Sequence, residues 1–261
     1  MKPSPENTFS QSRKKPQLTT DKTIRLQKFL ANCGVKSRRG CIDLLTARRV
    51  KVNGETVSEP GFRMDPKKDR VLVDEKQISL PSTTRTIVLY KPRGYICSTP
   101  TGRPEEKTVY ELIKKIKERL VTVGRLDKNS EGLLLMSNNG ILVLRLTHPR
   151  YGSEKTYHAT VSGEVNRQVL QQLSSRMTID GYRIMPAKVR LLRESENKGK
   201  RYVLSFTLKE GRNRQIRKMC EMVGLKIHRL VRISVGKLSL KGMKPGQWRD
   251  LTPEELKELA S

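Results

Sequence analysis

Asp127 is the residue whose surroundings most clearly suggest chemistry, and it lies in the segment VTVGRLDKNSEGLLLMSNNG. β-Favouring residues on both sides predict that its carboxylate stands in a turn between two strands. A carboxylate in such a turn can act as a nucleophile, provided that its surroundings keep it ionised and bring the substrate to it. The alternative is a surface turn without function, so the run Gly124-Arg125-Leu126-Asp127 needs support from other parts of the chain.

A basic helix is the second feature with chemical potential, in the segment EGRNRQIRKMCEMVG. Apolar residues at helical spacing predict a helix over residues 212–223, ended by Gly224; they are Ile216, Met219, Cys220 and Val223. The basic side chains lie off this apolar stripe, namely Arg212, Arg214, Arg217 and Lys218. Such a helix can pack against a sheet and present its guanidinium groups to a cleft.

The charge of the chain independently indicates the class of its partner. Lys and Arg number 54 against 26 Asp and Glu, a formal net charge of +28. So large an excess repels itself and is best explained by a polyanion whose phosphates neutralise it. Charge alone leaves DNA open beside RNA. No apolar run approaches membrane-spanning length and residues 1–15 lack the centre of a signal peptide, so we expect no membrane partner and a cytoplasmic location.

The cysteines and histidines do not form the pattern of a metal site. The cysteines lack paired spacing and are expected to be reduced packing residues: Cys33, Cys41, Cys97 and Cys220. The histidines are too scattered for a ligand set and are expected to be structural or surface residues: His148, His158 and His228. The chain also has no phosphate-binding loop and no dinucleotide fingerprint. We therefore predict no metal.

The chain begins with a predicted disordered basic tail, residues 1–22. This tail almost lacks large apolar side chains, so burial cannot offset the entropy of ordering it. From residue 23 the pattern changes, because Leu26, Phe29 and Leu30 recur at helical spacing. Ser37 can cap a second helix. The inward residues of that helix are predicted to be Cys41, Ile42, Leu44 and Leu45.

A hairpin is predicted after these two helices. Asn53-Gly54 stands between β-favouring residues, which indicates a tight turn, and residues 71–73 supply another strand. Residues 23–80 are therefore predicted to form a small helix-helix-hairpin domain. The Pro, Ser and Thr residues between positions 79 and 85 indicate a linker.

Residues 85–261 are predicted to form a larger α+β domain with a mixed, mainly antiparallel sheet. Its β-type runs cover residues 87–90, 121–123, 133–136, 157–161, 188–192 and 202–208. Helices are expected at 109–120, 141–146, 166–173 and 212–223, without strict βα alternation. The run Thr252-Pro253-Glu254-Glu255 has the capping-box arrangement of a short terminal helix.

Segments spread over this larger domain carry a resemblance to a known enzyme family. They are KPRG at 91–94, GRLD at 124–127, EKTY at 154–157 and EGRNRQIRKM at 210–219. In this order they resemble the pseudouridine synthases of the RsuA type, which isomerise uridines in ribosomal RNA. The stretches THPRYGSEKTY and EGRNRQIRKM look most like the RluB-like branch, which acts on large-subunit ribosomal RNA. Small-subunit ribosomal RNA remains an alternative substrate.

The resemblance implies roles for individual residues, with Asp127 as the nucleophile. Arg217 would pair with both of its carboxylate oxygens and keep it ionised. Tyr157 would stack on uracil and offer its hydroxyl for proton transfer. Arg125 would enter the space left when the target base is flipped out of its stack. Lys91, Pro92 and Gly94 are expected to shape a loop beside the cleft and to have no chemical role. Because uridine isomerisation exchanges no atoms or electrons, it needs no cofactor.

Residues 23–80 resemble the RNA-binding domain named after ribosomal small-subunit protein four, also called the alpha-L motif. The resemblance and the local charge predict contacts with the phosphates of a structured stem-loop from Arg25, Lys36, Arg38, Arg39, Arg48, Arg49 and Lys51. Further RNA contacts are expected from Arg212, Arg214 and Lys218. These contacts should give affinity and orientation rather than base identity.

Two alternatives of other classes stay open. A noncatalytic ribosome-assembly factor could keep the same fold and bind RNA without isomerising it. A DNA-binding protein would account for the charge, and duplex DNA would then compete well against structured RNA. For the enzyme, ribosomal RNA is the predicted partner and a monomer the expected state, because one chain supplies every residue of the predicted site.

Overall fold

The computed structural model describes residues 23–99, 105–148, 151, 153–195 and 200–260. The chain divides between Leu80 and Pro81 into two compact units, here called the N-terminal and C-terminal units. The predicted tail, residues 1–22, lies outside the described residues. Every helix in the described ranges is too short or too polar to cross a membrane.

The N-terminal unit combines two helices with short strands. In chain order its elements are β1 (Ile24–Arg25), α1 (Leu26–Asn32), α2 (Arg38–Thr46), β2 (Val50–Val52), β3 (Glu55–Thr56), β4 (Arg63–Met64), β5 (Val71–Val73) and β6 (Lys76–Ile78). Strands β3, β2, β5 and β6 form a four-stranded antiparallel sheet, and β1 pairs with β4. This arrangement confirms the predicted helix-helix-hairpin organisation.

Two tight turns set the register of the four-stranded sheet. The predicted Asn53-Gly54 turn joins β2 to β3, and both residues have the positive φ of a hairpin turn, 53° and 93°. A second turn joins β5 to β6 at Asp74 and Glu75, with φ of 48° and 61°. This second hairpin was not predicted from the sequence, because Asp74-Glu75 lacks the glycine that usually marks a two-residue hairpin turn.

The helices of the N-terminal unit bury the predicted apolar positions, with one exception. The Ser37 side chain caps α2 by accepting a hydrogen bond from Gly40 N at 3.0 Å. The core contains Leu26, Phe29, Leu30, Cys41, Leu44 and Leu45 from the helices. Ile42 was predicted to point inward but is only half-buried and lies outside this core, because the buried stripe of α2 is narrower than predicted.

The C-terminal unit contains one large sheet and four α-helices among its described residues. Its elements are β7 (Thr86–Lys91), a 3-10 helix (Val109–Ile113), β8 (Val121–Val123), β9 (Glu131–Ser137), α3 (Gly140–Thr147), β10 (Lys155–Ser162), α4 (Arg167–Ser174), β11 (Thr178–Ile179), β12 (Tyr182–Arg183), β13 (Lys188–Ser195), β14 (Arg201–Leu208), α5 (Gln215–Met222), β15 (Lys226–Val235), β16 (Leu238–Ser239), β17 (Trp248–Asp250) and α6 (Pro253–Ala260).

The large sheet is mixed and mainly antiparallel, as predicted. Its main path runs β13-β14-β10-β15-β9-β7-β17, while β16 pairs with β15 and β8 pairs with β9. Strands β9 and β15 are parallel, with Glu131 opposite Val231 and Gly132 opposite Arg232. All other described pairings in this sheet are antiparallel. The sheet thus consists of two antiparallel blocks joined by one parallel contact.

Apolar side chains cover both faces of the large sheet, because alternate residues of a strand point to opposite faces. On β7, Ile87 and Leu89 contribute to a core that also contains Ile216 and Met219 of α5. The intervening Val88 and Tyr90 contribute to a second core, which includes residues of α3 and α6. The layers explain why β7 is buried along its whole length.

Two predicted helices are shorter in the structure. Residues 109–120 were expected to be one helix, but only Val109–Ile113 forms a 3-10 helix. Beyond it, Lys114 and Lys117 carry like charges at helical spacing, and Glu118 pairs instead with Arg85 at 3.0 Å. The helix predicted at 212–223 begins only at Gln215, because Arg214 has a left-handed φ of 51°.

Candidate active site

The segment that connects β8 to β9, residues 124–130, holds Asp127 and is called the Asp127 loop below. Gly124 opens it with a φ of 72°, a conformation that favours glycine. Ser130 N donates a hydrogen bond to Asp127 O at 3.0 Å and closes a turn around the carboxylate. The Asp127 side chain is 36% exposed, so it is accessible to a substrate. These features confirm that Asp127 lies in a turn between two strands.

Lys91 fixes this loop through hydrogen bonds to backbone carbonyl oxygens. Its residue exposure is 0%, and its ammonium donates hydrogen bonds to the carbonyl oxygens of Ser130 at 2.7 Å and of Asp127 and Pro92 at 3.1 Å. Burial lowers the pKa of Lys91 to about 8, although the nearby Cys97 and Asp127 oppose this change. An ammonium surrounded by carbonyl oxygens determines where the backbone of Asp127 can lie.

Further contacts hold the backbone of the loop on either side of Asp127. Gly94 N donates to Lys128 O at 2.8 Å, and Leu126 N donates to the sulfur of Cys97 at 3.4 Å. Just after the loop, Gly132 has a φ of 106°, and a Cβ there would lie 2.3 Å from the carbonyl oxygen of Arg232. Only glycine permits this close approach of β9 to β15.

Arg217 extends from α5 to the Asp127 loop. Its Nη2 donates to the carbonyl oxygen of Asn129 at 2.9 Å and to Ser130 Oγ at 3.2 Å. Its Nε lies 3.8 Å from Asp127 Oδ2 and has no hydrogen-bond partner within the described residues. The resemblance implied that Arg217 contacts both carboxylate oxygens of Asp127, but the ion pair is a single long contact. The reason is that the terminal nitrogen Nη2 bonds Asn129 and Ser130 instead.

The Arg217 side chain is 15% exposed, and this burial has an electrostatic effect. Burial lowers the pKa of the guanidinium, and Arg214 and Arg93 act in the same direction, while Asp127 opposes them. An arginine stays charged in proteins even so. A charged Nε without a hydrogen bond beside a carboxylate can strengthen its contact when the site closes on a substrate.

Tyr157 lies on β10 and faces the same cleft as Asp127. Its ring is buried and contributes to the core beneath α5, and its hydroxyl has no hydrogen-bond partner among the described residues. The cleft is lined by Asp127, Ser130, Tyr157, Gly211, Arg214 and Ile216, among others. Residues from three separate segments of the sequence thus meet at one concave surface.

The basic residues around the cleft differ in their engagement. Arg125 is exposed and has no ion-pair or hydrogen-bond partner among the described residues. Arg214 lines the cleft. The guanidinium of Arg212 lies 3.0 Å from the centre of the Tyr182 ring, and Lys218 forms an ion pair with Asp180. Lys218 was predicted to contact RNA, but in the free protein its ammonium is already paired with the carboxylate of Asp180.

The predicted RNA contacts of the N-terminal unit are all placed at its surface. The exposed residues are Arg25, Lys36, Arg38, Arg39, Arg48 and Arg49, while Lys51 is half-buried. Arg49 makes a two-point contact with Asp74 at 2.6 and 2.7 Å, and Lys51 pairs with Glu75 at 2.7 Å. Both acidic partners belong to the unexpected hairpin between β5 and β6. The contact of the basic residues with RNA stays a prediction.

The cysteines and histidines take ordinary structural positions. All four cysteines are free thiols, and Cys41 and Cys220 are buried. His228 Nε2 lies 2.7 Å from Ser162 Oγ, and His148 meets the ring of Tyr151 edge-on. Within the described ranges, no three His, Cys, Asp or Glu side chains are grouped so that they could hold a metal ion.

Lys91 was predicted only to shape a loop beside the cleft, and its hydrogen bonds to the backbone of the Asp127 loop were not predicted. A signal is nevertheless present, because Lys91 ends the run TIVLYK, whose other residues form a continuous apolar or β-favouring segment. Such a run predicts a strand buried on both faces. A lysine at its end must then be buried as well and needs partners for its ammonium.

Comparison with protein families gives two matches. Residues 85–222 match the family described as RNA pseudouridylate synthase. Residues 24–71 match the S4 domain. The first match includes the Asp127 loop, Tyr157 and Arg217, and the second includes both helices of the N-terminal unit.

Individual relatives agree with these matches over most of the chain. A protein of Aquifex aeolicus named "Uncharacterized RNA pseudouridine synthase" is 39% identical over 90% of this chain and 93% of its own. The "Ribosomal large subunit pseudouridine synthase B" of Bacillus subtilis is 36% identical over 90% of this chain and 95% of its own. A crystal structure of a pseudouridylate synthase, 27% identical, superposes with a TM-score of 0.63 over 90% of this chain and 99% of its own.

Proposed function

The chain belongs to the RNA pseudouridylate synthase family and is an RNA pseudouridine synthase, and we propose on this premise that it isomerises one uridine of large-subunit ribosomal RNA. The choice of RNA is supported by the similarity to the Bacillus subtilis protein, whose name assigns it to the large subunit. A related protein of Yersinia pestis with the same name is 35% identical over 87% of this chain.

The reaction requires a group that holds the ribose or the base while their bond is exchanged. The bond between C1′ of the ribose and N1 of uracil breaks, the base turns, and a bond from C1′ to C5 forms. The proton lost from C5 is balanced by the one gained at N1, so substrate and product are isomers. In our proposal Asp127 is the nucleophile that forms the transient adduct.

The observation that carries this proposal is the contact of Arg217 with the Asp127 loop. The guanidinium is 3.8 Å from the Asp127 carboxylate. It also donates hydrogen bonds to Asn129 and Ser130 of the same loop. It places a positive charge beside the carboxylate and restrains the loop that carries it. Lys91 restrains the same loop through the carbonyl oxygens of Asp127 and Ser130. A surface turn without function would need neither restraint.

Tyr157 and Arg125 are proposed to handle the flipped base. The Tyr157 ring lines the cleft beside Asp127, so it can stack on uracil and use its hydroxyl in proton transfer. Arg125 is exposed at the rim and can occupy the place of the base in the RNA stack. We further propose that the N-terminal unit binds phosphates of a stem-loop through its exposed basic residues.

The proposal is tested by mapping pseudouridine in unmodified ribosomal RNA after incubation with the protein, by carbodiimide labelling and reverse transcription. Wild type should convert one large-subunit uridine, and Asp127→Asn should convert none while it binds the RNA with unchanged affinity. The matched control is Glu221→Gln, which alters an exposed carboxylate on the helix that carries Arg217.

Other outcomes separate the alternatives. Equal conversion by wild type and Asp127→Asn would contradict the assigned nucleophile. Binding without conversion, on naked RNA and on precursor particles alike, would favour a noncatalytic assembly factor. Preferential binding to duplex DNA would favour the DNA-binding alternative. The cytoplasmic location and the monomeric state are part of the proposal as well, and sedimentation of the purified protein tests the latter.

A further inference from the structure

A second cavity adjoins the catalytic cleft and shares Arg125, Tyr157 and Gly211 with it. Its remaining walls are Gly124, apolar side chains of β8, α3 and β15, and the polar side chains of Thr147, Lys155 and Arg232. The Asp127 carboxylate does not line it. The roles proposed above use the cleft but leave this cavity and its two additional cations without a function.

The two cations of the cavity are buried or partly buried without an acidic partner. Arg232 is 4% exposed, and its Nε donates to the carbonyl oxygen of Leu133 at 2.6 Å. Lys155 is half-buried, and its ammonium donates to the carbonyl oxygen of Ser153 at 2.8 Å. Neither residue forms an ion pair with a described Asp or Glu, and the terminal nitrogens of Arg232 have no described hydrogen-bond partner.

Lys155 lies in an unfavourable environment in the free protein, because it is partly buried beside a second cation. Taking a charge out of water is costly unless an opposite charge or several hydrogen bonds compensate for it. Burial lowers the pKa of Lys155, and the positive charge of Arg232 lowers it further. An anion in the cavity would relieve both effects, because a guanidinium and an ammonium together offer several donors to a group with three or four oxygens.

We propose that Lys155 and Arg232 form a binding site for one phosphodiester group of the substrate RNA, next to the target uridine. This inference rests on the proposed function, since it places the uracil against Tyr157. Tyr157 and Arg125 border both cavities, so a nucleotide in the cleft has its neighbouring backbone at the second cavity. The RNA is also the polyanion that the net charge of +28 requires.

The site would hold the ribose-phosphate backbone while the base detaches and turns. Lys155 and Arg232 are thus positioning residues rather than catalytic ones. A fixed phosphate keeps C1′ within reach of C5 during the rotation, which is the contribution expected of a group that orients a reacting centre. The contact reads no base, so it adds affinity without sequence preference.

A scan with methylphosphonate linkages tests the site without changing the protein. The RNA is the large-subunit fragment that the protein protects from nuclease, and each phosphate of the protected loop is replaced in turn by the uncharged group. One linkage should lower the affinity of wild type about tenfold more than its neighbours do. Uniform small losses at all linkages would overturn the proposal.

A protein variant then assigns the sensitive linkage to the cavity. Lys155→Met should bind native RNA about tenfold more weakly, reduce the salt slope by about one, and lose its sensitivity to that linkage. Lys155→Arg should restore the sensitivity. The matched control is Lys226→Met, at the opposite end of the β10–β15 pair, where the exposed lysine faces Ser162 in the register. Full sensitivity in Lys155→Met would overturn the assignment.

The binding measurements do not depend on turnover, so the two proposals can fail separately. Conversion of a uridine without any sensitive linkage would retain the enzyme and eliminate the anion site. A sensitive linkage that Lys155→Met abolishes, on RNA that is never converted, would retain the anion site and eliminate the proposed reaction. Thermal melting of each variant identifies those that have lost the fold.

Discussion

Replacing Lys91 with methionine is expected to release the Asp127 loop while the fold persists. Methionine nearly preserves the length of the side chain and fills the buried space, but it cannot donate a hydrogen bond. The carbonyl oxygens of Pro92, Asp127 and Ser130, at 3.1, 3.1 and 2.7 Å from the ammonium, then lose a partner. The perturbation is confined to the loop, because the end of β7 where Lys91 lies is paired with Gly132 through the backbone.

The size of the effect follows from these contacts. A buried polar group that loses its partner costs about 1–3 kcal/mol, and four carbonyl oxygens are affected, since Lys128 O also lies 3.5 Å from the ammonium. The variant also avoids the cost of burying an ammonium, which offsets part of the loss. We expect the free energy of unfolding to fall by about 3 kcal/mol. A displacement of the carboxylate by about 1 Å should lower the isomerisation rate on the order of 100-fold.

The same residue predicts a pH dependence. Burial lowers the pKa of Lys91 from its ordinary 10.5 to about 8 in the folded protein. Between these values the unfolded chain binds a proton that the folded chain lacks, so the free energy of unfolding rises with pH. Between pH 8 and pH 10.5, the free energy of unfolding of wild type should therefore rise by up to about 3 kcal/mol relative to that of Lys91→Met.

Urea unfolding at pH 7.5 and 9.5, together with single-turnover isomerisation, measures these effects. Lys128→Met is the matched control, because Lys128 lies in the same loop but is exposed. Lys91 does not hold the loop if Lys91→Met unfolds at the wild-type urea concentration and isomerises RNA at the wild-type rate. A rate loss equal to that of Lys128→Met would also contradict this role, since the loop would then be held without Lys91.

Gly132→Ala should lower the free energy of unfolding by about 3 kcal/mol or more, because the new Cβ would lie 2.3 Å from Arg232 O at a φ of 106°. Urea unfolding measures this, with Gly140→Ala as the unobstructed control, and equal stability of the two variants would contradict the close approach. Arg217→Lys should lower the single-turnover rate on the order of 100-fold at unchanged RNA affinity, because lysine cannot bond Asn129 and Ser130 while facing Asp127. An unchanged rate would show that charge alone suffices.

Much of the fold could be predicted because local sequence signals agree with the final packing. The stripe that includes Ile216 and Met219 is buried on the helix it predicted, and Asn53-Gly54 forms the hairpin it indicated. Asp127 was correctly placed in a turn between strands because the segments on both sides of it favour β structure. These features depend on residues within a few positions of one another.

The misjudged features depend on distant parts of the chain. The burial of Lys91 is tolerated only because carbonyl oxygens from residues 127–130 surround its ammonium. The left-handed backbone of Arg214 makes α5 begin later than predicted. An arginine does not indicate such a conformation. Arg217 bonds the backbone instead of both oxygens of Asp127 because the loop brings Asn129 and Ser130 to its terminal nitrogen.

The parallel contact between β9 and β15 has a consequence for the order in which the protein acquires activity. It joins residues about one hundred positions apart, Gly132 and Arg232, and a pairing over so long a range carries a high loop-closure entropy. One antiparallel block carries the Asp127 loop, while Tyr157 and the connection that contains Arg217 belong to the other. Each block can assemble its own strands without producing a cleft. Enzymatic activity during refolding should therefore appear only when the two halves join, later than the optical signals of strand formation.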